Sequence, residues 1–175
     1  MDLYLLDTNF ASVLWDGLHK EHQNALSFVQ NLGGENHLYI SRITVAEIEY
    51  GYKVHLGADA NRKQVIEKAM RAFKVREIDR HTTAPYSDIR AALFQRYAPK
   101  NKRGLPSKKR PEELIDKTSA RELGIQENDL WVAAIAVQHN MILVTEDRIS
   151  HISEVENRLQ CINWRTGNPC KPPAS

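Results

Sequence analysis

Residues 128–147 read NDLWVAAIAVQHNMILVTED. The segment joins an apolar helical stretch at residues 128–139 to a short apolar strand at residues 141–144. Asp129 opens the predicted helix, and Asp147 follows the strand. A buried helix that leads directly into a buried strand is typical of α/β proteins with a parallel sheet.

The same alternation of strand and helix extends outward over the rest of the chain. Further strands are predicted at residues 3–6, 37–40, 74–78 and 160–163, and helices at residues 19–32, 41–56, 59–73, 83–96, 112–123 and 146–152. Five strands that alternate with helices predict an α/β fold of three layers, with a central five-stranded parallel sheet between helices. We predict one domain over residues 1–165, with a Pro-, Gly- and Lys-containing insertion at residues 98–123 and a polar tail at residues 166–175.

Composition excludes several classes of protein. Among 175 residues, 42% are hydrophobic and 26% are charged, which fits neither a disordered nor a fibrous chain. The longest apolar run, Leu130 to Val137, is too short to cross a bilayer, and the N-terminus lacks the pattern of a signal peptide, so we expect a cytoplasmic protein. Cys161 and Cys170 lack the spacing of a zinc or redox motif, and we assign them no role.

Acidic residues follow two of the predicted strands. Asp7 closes the first strand, and Asp147 comes shortly after the fourth. Because parallel strands end at the same edge of a sheet, both acids point to one edge. Glu47 lies early in the helix after the second strand, and with Asp129 it can reach the same cleft. These four acids are therefore our candidate catalytic residues.

Four neighbouring carboxylates repel one another, so such a cluster normally persists when cations neutralise it. Oxygen ligands favour Mg²⁺ or Mn²⁺ over zinc, and we assign the ion to Asp7 and Asp129. The sequence leaves open which carboxylates bind the ion directly and which act through water. An ion held in this way polarises a phosphodiester, lowers the pKa of an attacking water and stabilises the leaving oxygen, which is nuclease chemistry. The polar residues beside the acids are suited to orient them; they are Thr8, Asn9, Asn128 and Thr145.

Each acid taken singly also has a structural interpretation. Asp7 and Asp129 can cap a helix or face the positive end of its dipole. Glu47 follows Thr44 with the Thr-x-x-Glu spacing of a capping box, and Asp147 can begin a turn. Only the shared placement of the acids at one sheet edge argues for a metal site.

Several short motifs occur in order along the chain. They are LLDTN at residues 5–9, ITVAEIEYG at 43–51, NDLWVAAIA at 128–136, LVTED at 143–147 and NW at 163–164. In this order and spacing, the sequence resembles PIN-domain ribonucleases, particularly the VapC-type toxins of prokaryotic toxin–antitoxin pairs. The resemblance covers about residues 3–164.

This resemblance implies an endoribonuclease that depends on Mg²⁺ or Mn²⁺, acts on tRNA or another structured RNA, and forms a homodimer. It assigns the family's acids to Asp7, Glu47, Asp129 and Asp147, and it places Asn9 and Thr145 beside the metal site. An antitoxin protein is the implied partner. Candidate antitoxin contacts are Trp15, Leu18, Tyr50 and Tyr52, for which core packing is the alternative.

The chain departs from the family in its basic insertion. The formal net charge is only +2, but no acid occurs from Ile89 to Pro111. We predict that six basic residues in this stretch contact RNA phosphates, with a solvated loop as the alternative; they are Lys100, Lys102, Arg103, Lys108, Lys109 and Arg110. Tyr97, directly before the insertion, is the only aromatic residue at residues 97–123, so the insertion gives little support for base stacking. His151 stands where these toxins often carry Phe.

Other functions stay open at this point. A PIN domain can be a housekeeping RNA-processing nuclease or a non-catalytic RNA-binding module, although the latter usually loses acids that are all present here. A receiver domain requires an acid pair after the first strand, and an aspartyl phosphatase requires a second Asp where Asn9 stands. A flap or single-strand DNA nuclease usually has more acids and a larger helical arch.

Overall fold

The computed structural model describes residues 2–33, 37–54, 60–116, 119–146 and 149–170. Strands and helices alternate along the chain. In order they are β1 Leu3–Leu6, α1 Thr8–Trp15, α2 His22–Asn31, β2 His37–Ser41, α3 Arg42–Val54, α4 Ala60–Arg71, β3 Lys74–Arg76, α5 Thr83–Tyr97, a single 3-10 turn Pro111–Glu113, α6 Glu127–Gln138, β4 Ile142–Thr145, α7 Ser150–Val155 and β5 Gln160–Asn163.

The five strands form one parallel sheet in the order β3-β2-β1-β4-β5. From β1 the chain moves outward to β2 and β3, and then returns to the other side of β1 for β4 and β5. The topological switch point therefore lies between β1 and β4, where α/β proteins open a crevice at the carboxyl ends of the strands. The backbone amide of Asp7 donates to the carbonyl of Val144 at 3.0 Å, so the β1–β4 pairing extends to the first candidate acid.

Helices cover both faces of the sheet. Leu5 and Leu143 face the core formed with α5, α6 and α7, whereas Leu6 and Val144 face the core formed with α1 to α4. All four side chains have 0% exposure, as expected for a parallel sheet that is buried on both faces. This arrangement confirms the predicted three-layer α/β/α fold. Within the described ranges, no helix combines the length and the apolar composition needed to cross a membrane.

The prediction of a helix at residues 112–123 is wrong. A 3-10 turn ends at Glu113, and the chain then pairs with itself, because the amide of Leu123 donates to the carbonyl of Leu114 at 3.0 Å. Ile115 and Glu122 form an antiparallel bridge beyond this pair. Backbone groups that a helix would satisfy internally are therefore satisfied across this pairing.

Some predicted boundaries also shift. Helix α2 begins at His22 rather than at residue 19, because the side chain of His19 accepts a hydrogen bond from the amide of Glu21 and forms a turn before the helix. Helix α7 covers Ser150–Val155 instead of residues 146–152.

The ends of the predicted insertion belong to the core. Ala98, Leu114 and Leu123 are buried with the residues of α5 and α6. Outside the core, Arg90 of α5 pairs with Glu127 of α6 and donates from Nη2 to the carbonyl of Lys109 at 2.7 Å. The insertion is thus fixed to both helices.

The segment predicted to be a polar tail begins by folding back on the sheet. The amide of Cys170 donates to the carbonyl of Cys161 at 3.1 Å, and Ile162 forms an antiparallel bridge with Pro169. Cys170 is buried at 4% exposure. Residues 166–170 are therefore attached to the edge strand β5, and residues 171–175 lie outside the described part of the chain. The domain boundary at residue 165 stays a prediction.

Candidate active site

A polar cavity of about 660 Å³ opens at the carboxyl edge of the sheet, at the switch point between β1 and β4. It brings together three of the predicted acids and three of their four predicted polar neighbours. Its lining residues are Asp7, Thr8, Asn9, Glu47, Tyr50, Gly124, Gln126, Asp129, Thr145, Glu146 and Ile149. The fourth predicted acid, Asp147, lies outside the described residues.

Asp7 serves the fold and the cavity at once. As the N-cap of α1, it accepts a hydrogen bond at Oδ1 from the amide of Thr8 at 2.7 Å. Its Oδ2 accepts a hydrogen bond from the hydroxyl of Thr145, at the end of β4, at 3.0 Å. The start of α1 and the end of β4 thereby fix both oxygens of this carboxylate at the switch point.

Glu47 is held from two sides. The hydroxyl of Thr8 donates to Oε2, and the side-chain amide of Asn128 donates to Oε1 at 2.7 Å. Glu47 is thus bridged to α1 and to the start of α6.

The predicted capping box of Thr44 and Glu47 is wrong. The buried hydroxyl of Ser41 accepts a hydrogen bond from the amide of Thr44 at 2.9 Å, and so performs the capping at the start of α3. Glu47 lies one turn further into the helix and is available to the cavity.

Asp129 has the capping role that its position at a helix start indicates. Its Oδ2 accepts a hydrogen bond from the amide of Gln126 at 2.7 Å, which closes a capping box at the N-terminus of α6. Asp129 still lines the cavity. The structural and functional interpretations of Asp7 and Asp129 are therefore compatible.

The three acids carry uncompensated charge, since none of them forms an ion pair with a described residue. Burial raises the pKa of Asp7, hydrogen bonds from Thr145 and Thr8 oppose this, and the charges of Glu47 and Glu146 add to it. The pKa of Asp129 is raised to about 6, mainly by burial. The hydrogen bond from Gln126 lowers this pKa, and the negative charges of Asp7 and Glu47 raise it further. Part of the site therefore resists ionisation without a cation.

These donors fit a hard divalent ion. Among the described residues, no three His, Cys, Asp or Glu side chains converge closely enough to form a ligand group on their own. Mg²⁺ is commonly bound by one or two carboxylates and completes its shell with water, whereas a structural zinc site needs a full set of protein ligands. Asp7 and Asp129 are half-buried and have no cationic partner in the described chain, so they can supply the one or two carboxylates that Mg²⁺ needs.

Five lining residues were not predicted to belong to the site, and Glu146 and Tyr50 among them bear on its chemistry. Glu146 lines it beside Thr145 and pairs through Oε1 with Nη2 of Arg165 at 2.9 Å. The acidic pair Glu146-Asp147 at the end of β4 was the available sequence signal. Tyr50 lines the cavity three residues after Glu47, a helical spacing that places both on one face of α3.

The predicted RNA-binding residues do not line the cavity. Their loop is closed by backbone hydrogen bonds, from the amide of Asn101 to the carbonyl of Leu105 and from the amide of Ser107 to that of Pro99, both at 2.8 Å. Gly124 and Gln126, just after the insertion, do line the cavity. The insertion thus connects directly to the wall of the site.

The candidate antitoxin contacts divide by exposure. Trp15 is buried at 5% and packs against Phe73, so its fate is core packing. Tyr52 is half-buried. Leu18 is 82% exposed and Tyr50 is 67% exposed.

The sequence matches a known protein family. The profile of the PIN domain family matches residues 4–156. No curated protein matches the sequence.

Several solved structures are similar to the chain over nearly its whole length. VapBC2 from Rickettsia felis, bound to a fragment of its promoter DNA, has a TM-score of 0.62 at 22% identity, covering 93% of this chain and 98% of that chain. VapBC-1 from nontypeable Haemophilus influenzae has a TM-score of 0.63 at 22% identity, with the same coverages. FitAcB from Neisseria gonorrhoeae has a TM-score of 0.60 at 24% identity, covering 92% of this chain and 97% of that chain. At these identities the similarity shows a shared fold.

The raised pKa of Asp129 predicts a pH-dependent cost to stability. Ionising this carboxyl is harder in the folded state, so the cost is absent below about pH 4, grows up to about pH 6 and is complete above it. We expect Asp129→Asn to raise the metal-free free energy of unfolding by roughly 1–2 kcal/mol at about pH 7.5, and by little at about pH 4. Urea unfolding in chelator at both pH values measures this.

The matched control is Glu49→Gln, which removes an exposed acid of α3 that does not line the cavity. It should change the free energy of unfolding by less than about 0.5 kcal/mol at either pH. A gain for Asp129→Asn that is equal at the two pH values would contradict the electrostatic explanation.

Proposed function

Because the chain belongs to the PIN domain family, we propose that it is an endoribonuclease that uses Mg²⁺ or Mn²⁺ to hydrolyse RNA phosphodiester bonds. Members of the family are nucleases. The observation that carries the proposal is that Asp7, Glu47 and Asp129 line one cavity and form no ion pair with any described residue. An accumulation of negative charge without a protein counter-ion favours a cation as the missing component.

The residues of the site divide the task among them. Asp7 and Asp129 are proposed to hold the ion, and Asp147 to complete the catalytic set. When bound, the ion polarises the phosphodiester and lowers the pKa of an attacking water. Glu47 is fixed at both oxygens by Thr8 and Asn128, so it is positioned to orient water before the substrate arrives.

The neighbours of the acids preorganise them. Thr145 holds Oδ2 of Asp7, and Asn9 is exposed at the same cavity. We propose that both residues support the ion's ligands and its water molecules, because such supporting hydrogen bonds fix the ligands' orientation.

Removal of one carboxylate should abolish metal-dependent cleavage. We expect Asp7→Asn and Glu47→Gln to lower the rate of RNA cleavage by roughly 100-fold or more, and chelator to do the same to the wild type. Purified protein is incubated with total RNA, a structured tRNA and single-stranded DNA, with Mg²⁺ and with chelator. Glu49→Gln is the matched control on the helix of Glu47 and should cleave like the wild type.

Cleavage that survives chelation or Asp7→Asn would refute the metal mechanism. Cleavage of DNA in preference to RNA would instead support the DNA-nuclease alternative.

We also propose that the insertion binds RNA backbone through Lys100, Lys102, Arg103, Lys108, Lys109 and Arg110. All except the half-buried Lys108 are exposed, and the insertion is fixed to α5 and α6 at the wall of the cavity. Two of these charges are partly offset: Lys108 lies 3.9 Å from Glu113, and Arg110 lies beside Glu112 and Glu113. Lys102 and Arg103, at the tip of the loop, form no ion pair with a described residue.

Neutralising the tip of the loop should weaken RNA binding in a salt-dependent way. For Lys102→Gln with Arg103→Gln, we expect the slope of log affinity against log salt to fall by about 0.7 for each phosphate that the loop no longer neutralises. Fluorescence anisotropy with labelled RNA over a range of salt concentrations measures the slope. Lys68→Gln with Arg71→Gln on α4 removes equal charge elsewhere, and an equal fall in that control would show that only net charge matters.

We further propose that the protein is the cytoplasmic toxin of a toxin–antitoxin pair, a homodimer that acts on tRNA or another structured RNA. The solved structures to which the chain is similar include members of the VapBC family of toxin–antitoxin systems, and this supports an antitoxin partner for the present chain. Its alternative is a housekeeping RNA-processing nuclease that has no antitoxin.

Growth of a bacterial host distinguishes a toxin from a housekeeping nuclease. We expect expression of the wild type to arrest growth and Asp7→Asn to relieve the arrest, because the toxicity would come from RNA cleavage. Glu49→Gln should be as toxic as the wild type. Normal growth at matched protein levels, with cleavage still measurable in vitro, would favour the housekeeping alternative.

A further inference from the structure

The rim of the acidic cavity carries an unusual side chain. Tyr50 is 67% exposed, and among the described residues it is the only exposed Phe, Tyr or Trp. Of the described residues that line the cavity, it is also the only aromatic one. The one exposed Phe, Tyr or Trp ring of the described residues thus lies at the proposed catalytic site.

Other aromatic rings of the described chain have partners. Tyr86 stacks on Trp131 with ring centroids 3.8 Å apart, and the hydroxyl of Tyr97 donates to Glu154 at 2.6 Å. Tyr50 forms no ring contact, cation contact or side-chain hydrogen bond with a described residue. No aromatic or cationic group of the described structure therefore stacks on its ring.

The remaining lining of the cavity suits a sugar-phosphate chain rather than a base. It consists mainly of carboxylates, hydroxyls and amides, and its other large apolar side chain, Ile149, is 3% exposed. Bases bind through their flat faces, and an exposed aromatic ring is the surface that stacks with them. Tyr50 is the one described side chain at the site that offers such a surface.

We propose that Tyr50 stacks on an unpaired base next to the scissile phosphate, and so directs this site to single-stranded segments of RNA. The inference rests on the proposed nuclease function. A base within a duplex has both faces covered by its neighbours, so only a nucleotide in a loop, bulge or free strand can reach the ring. A structured RNA would then be cut where its strand is unpaired.

The position of the ring couples binding to chemistry. Tyr50 follows Glu47 by three residues on α3, so both side chains lie on the same face of this helix. A base stacked on Tyr50 is therefore held at a fixed position relative to the carboxylate of Glu47, which is proposed to orient water. The loss of Tyr50 should weaken substrate binding and leave the acids in place, since its exposed side chain supports none of their hydrogen bonds.

The test compares Tyr50→Ala, Tyr50→Phe and Val54→Ala on one RNA strand, free and annealed to its complement. We expect Tyr50→Ala to raise KM for the free strand roughly 5- to 100-fold with kcat within a few-fold of the wild type, the loss that corresponds to one base–aromatic stack. Tyr50→Phe should retain the wild-type KM. Val54→Ala removes another exposed apolar residue of α3, which does not line the cavity, and should change nothing.

A binding measurement separates this inference from the proposed function. The protein carries Asp7→Asn, and the ligand is a short single-stranded RNA that contains 2-aminopurine. Binding should quench the fluorescence of the 2-aminopurine, and the additional substitution Tyr50→Ala should remove the quenching. If the wild type cleaves no RNA, the proposed function fails, and the quenching still decides the role of Tyr50. An unchanged KM together with Tyr50-independent quenching would overturn the inference, and impaired antitoxin binding in that case would assign Tyr50 to the protein partner.

Discussion

The structure depends on holding several carboxylates together at one edge of the sheet, where they repel one another. Asp7, Glu47 and Asp129 line one cavity and have no ion pair within the described chain. Burial and mutual repulsion raise the pKa of Asp7 and of Asp129. Ionisation of these carboxyl groups therefore lowers the stability of the folded protein. A divalent cation removes this conflict, and the proposed function follows from that requirement.

The fold reduces the cost by making the acids part of its own framework. Asp7 caps α1 and Asp129 closes a capping box on α6, so backbone amides and the positive ends of two helix dipoles face these carboxylates. Thr145 and Asn128 add side-chain hydrogen bonds to Asp7 and Glu47. The same contacts that begin the helices therefore orient the acids before any ligand binds.

Much of this arrangement was predictable because it depends on local patterns. The apolar strands at residues 3–6 and 160–163 and the parallel sheet agree with the prediction, and the motifs identified the family that the profile match shows. Helix 112–123 was wrong because the two halves of this segment pair with each other in antiparallel fashion, which helical spacing does not reveal. The Thr44–Glu47 capping box was wrong because Ser41, one turn earlier, takes that role. The sequence does not reveal whether an aromatic residue is buried or exposed, so only the structure distinguished the exposed Tyr50 from the buried Trp15.

The central claim is that Asp7 and Asp129 together bind a divalent ion at the switch point. Crystals grown with Mn²⁺ test this directly, because anomalous scattering locates the ion independently of the protein's activity. The proposal predicts one strong peak in the cavity, about 2.1 Å from a carboxylate oxygen of Asp7 and of Asp129, and its loss in Asp7→Asn. A cavity without an anomalous peak at saturating Mn²⁺, or an ion held away from both carboxylates, would contradict it.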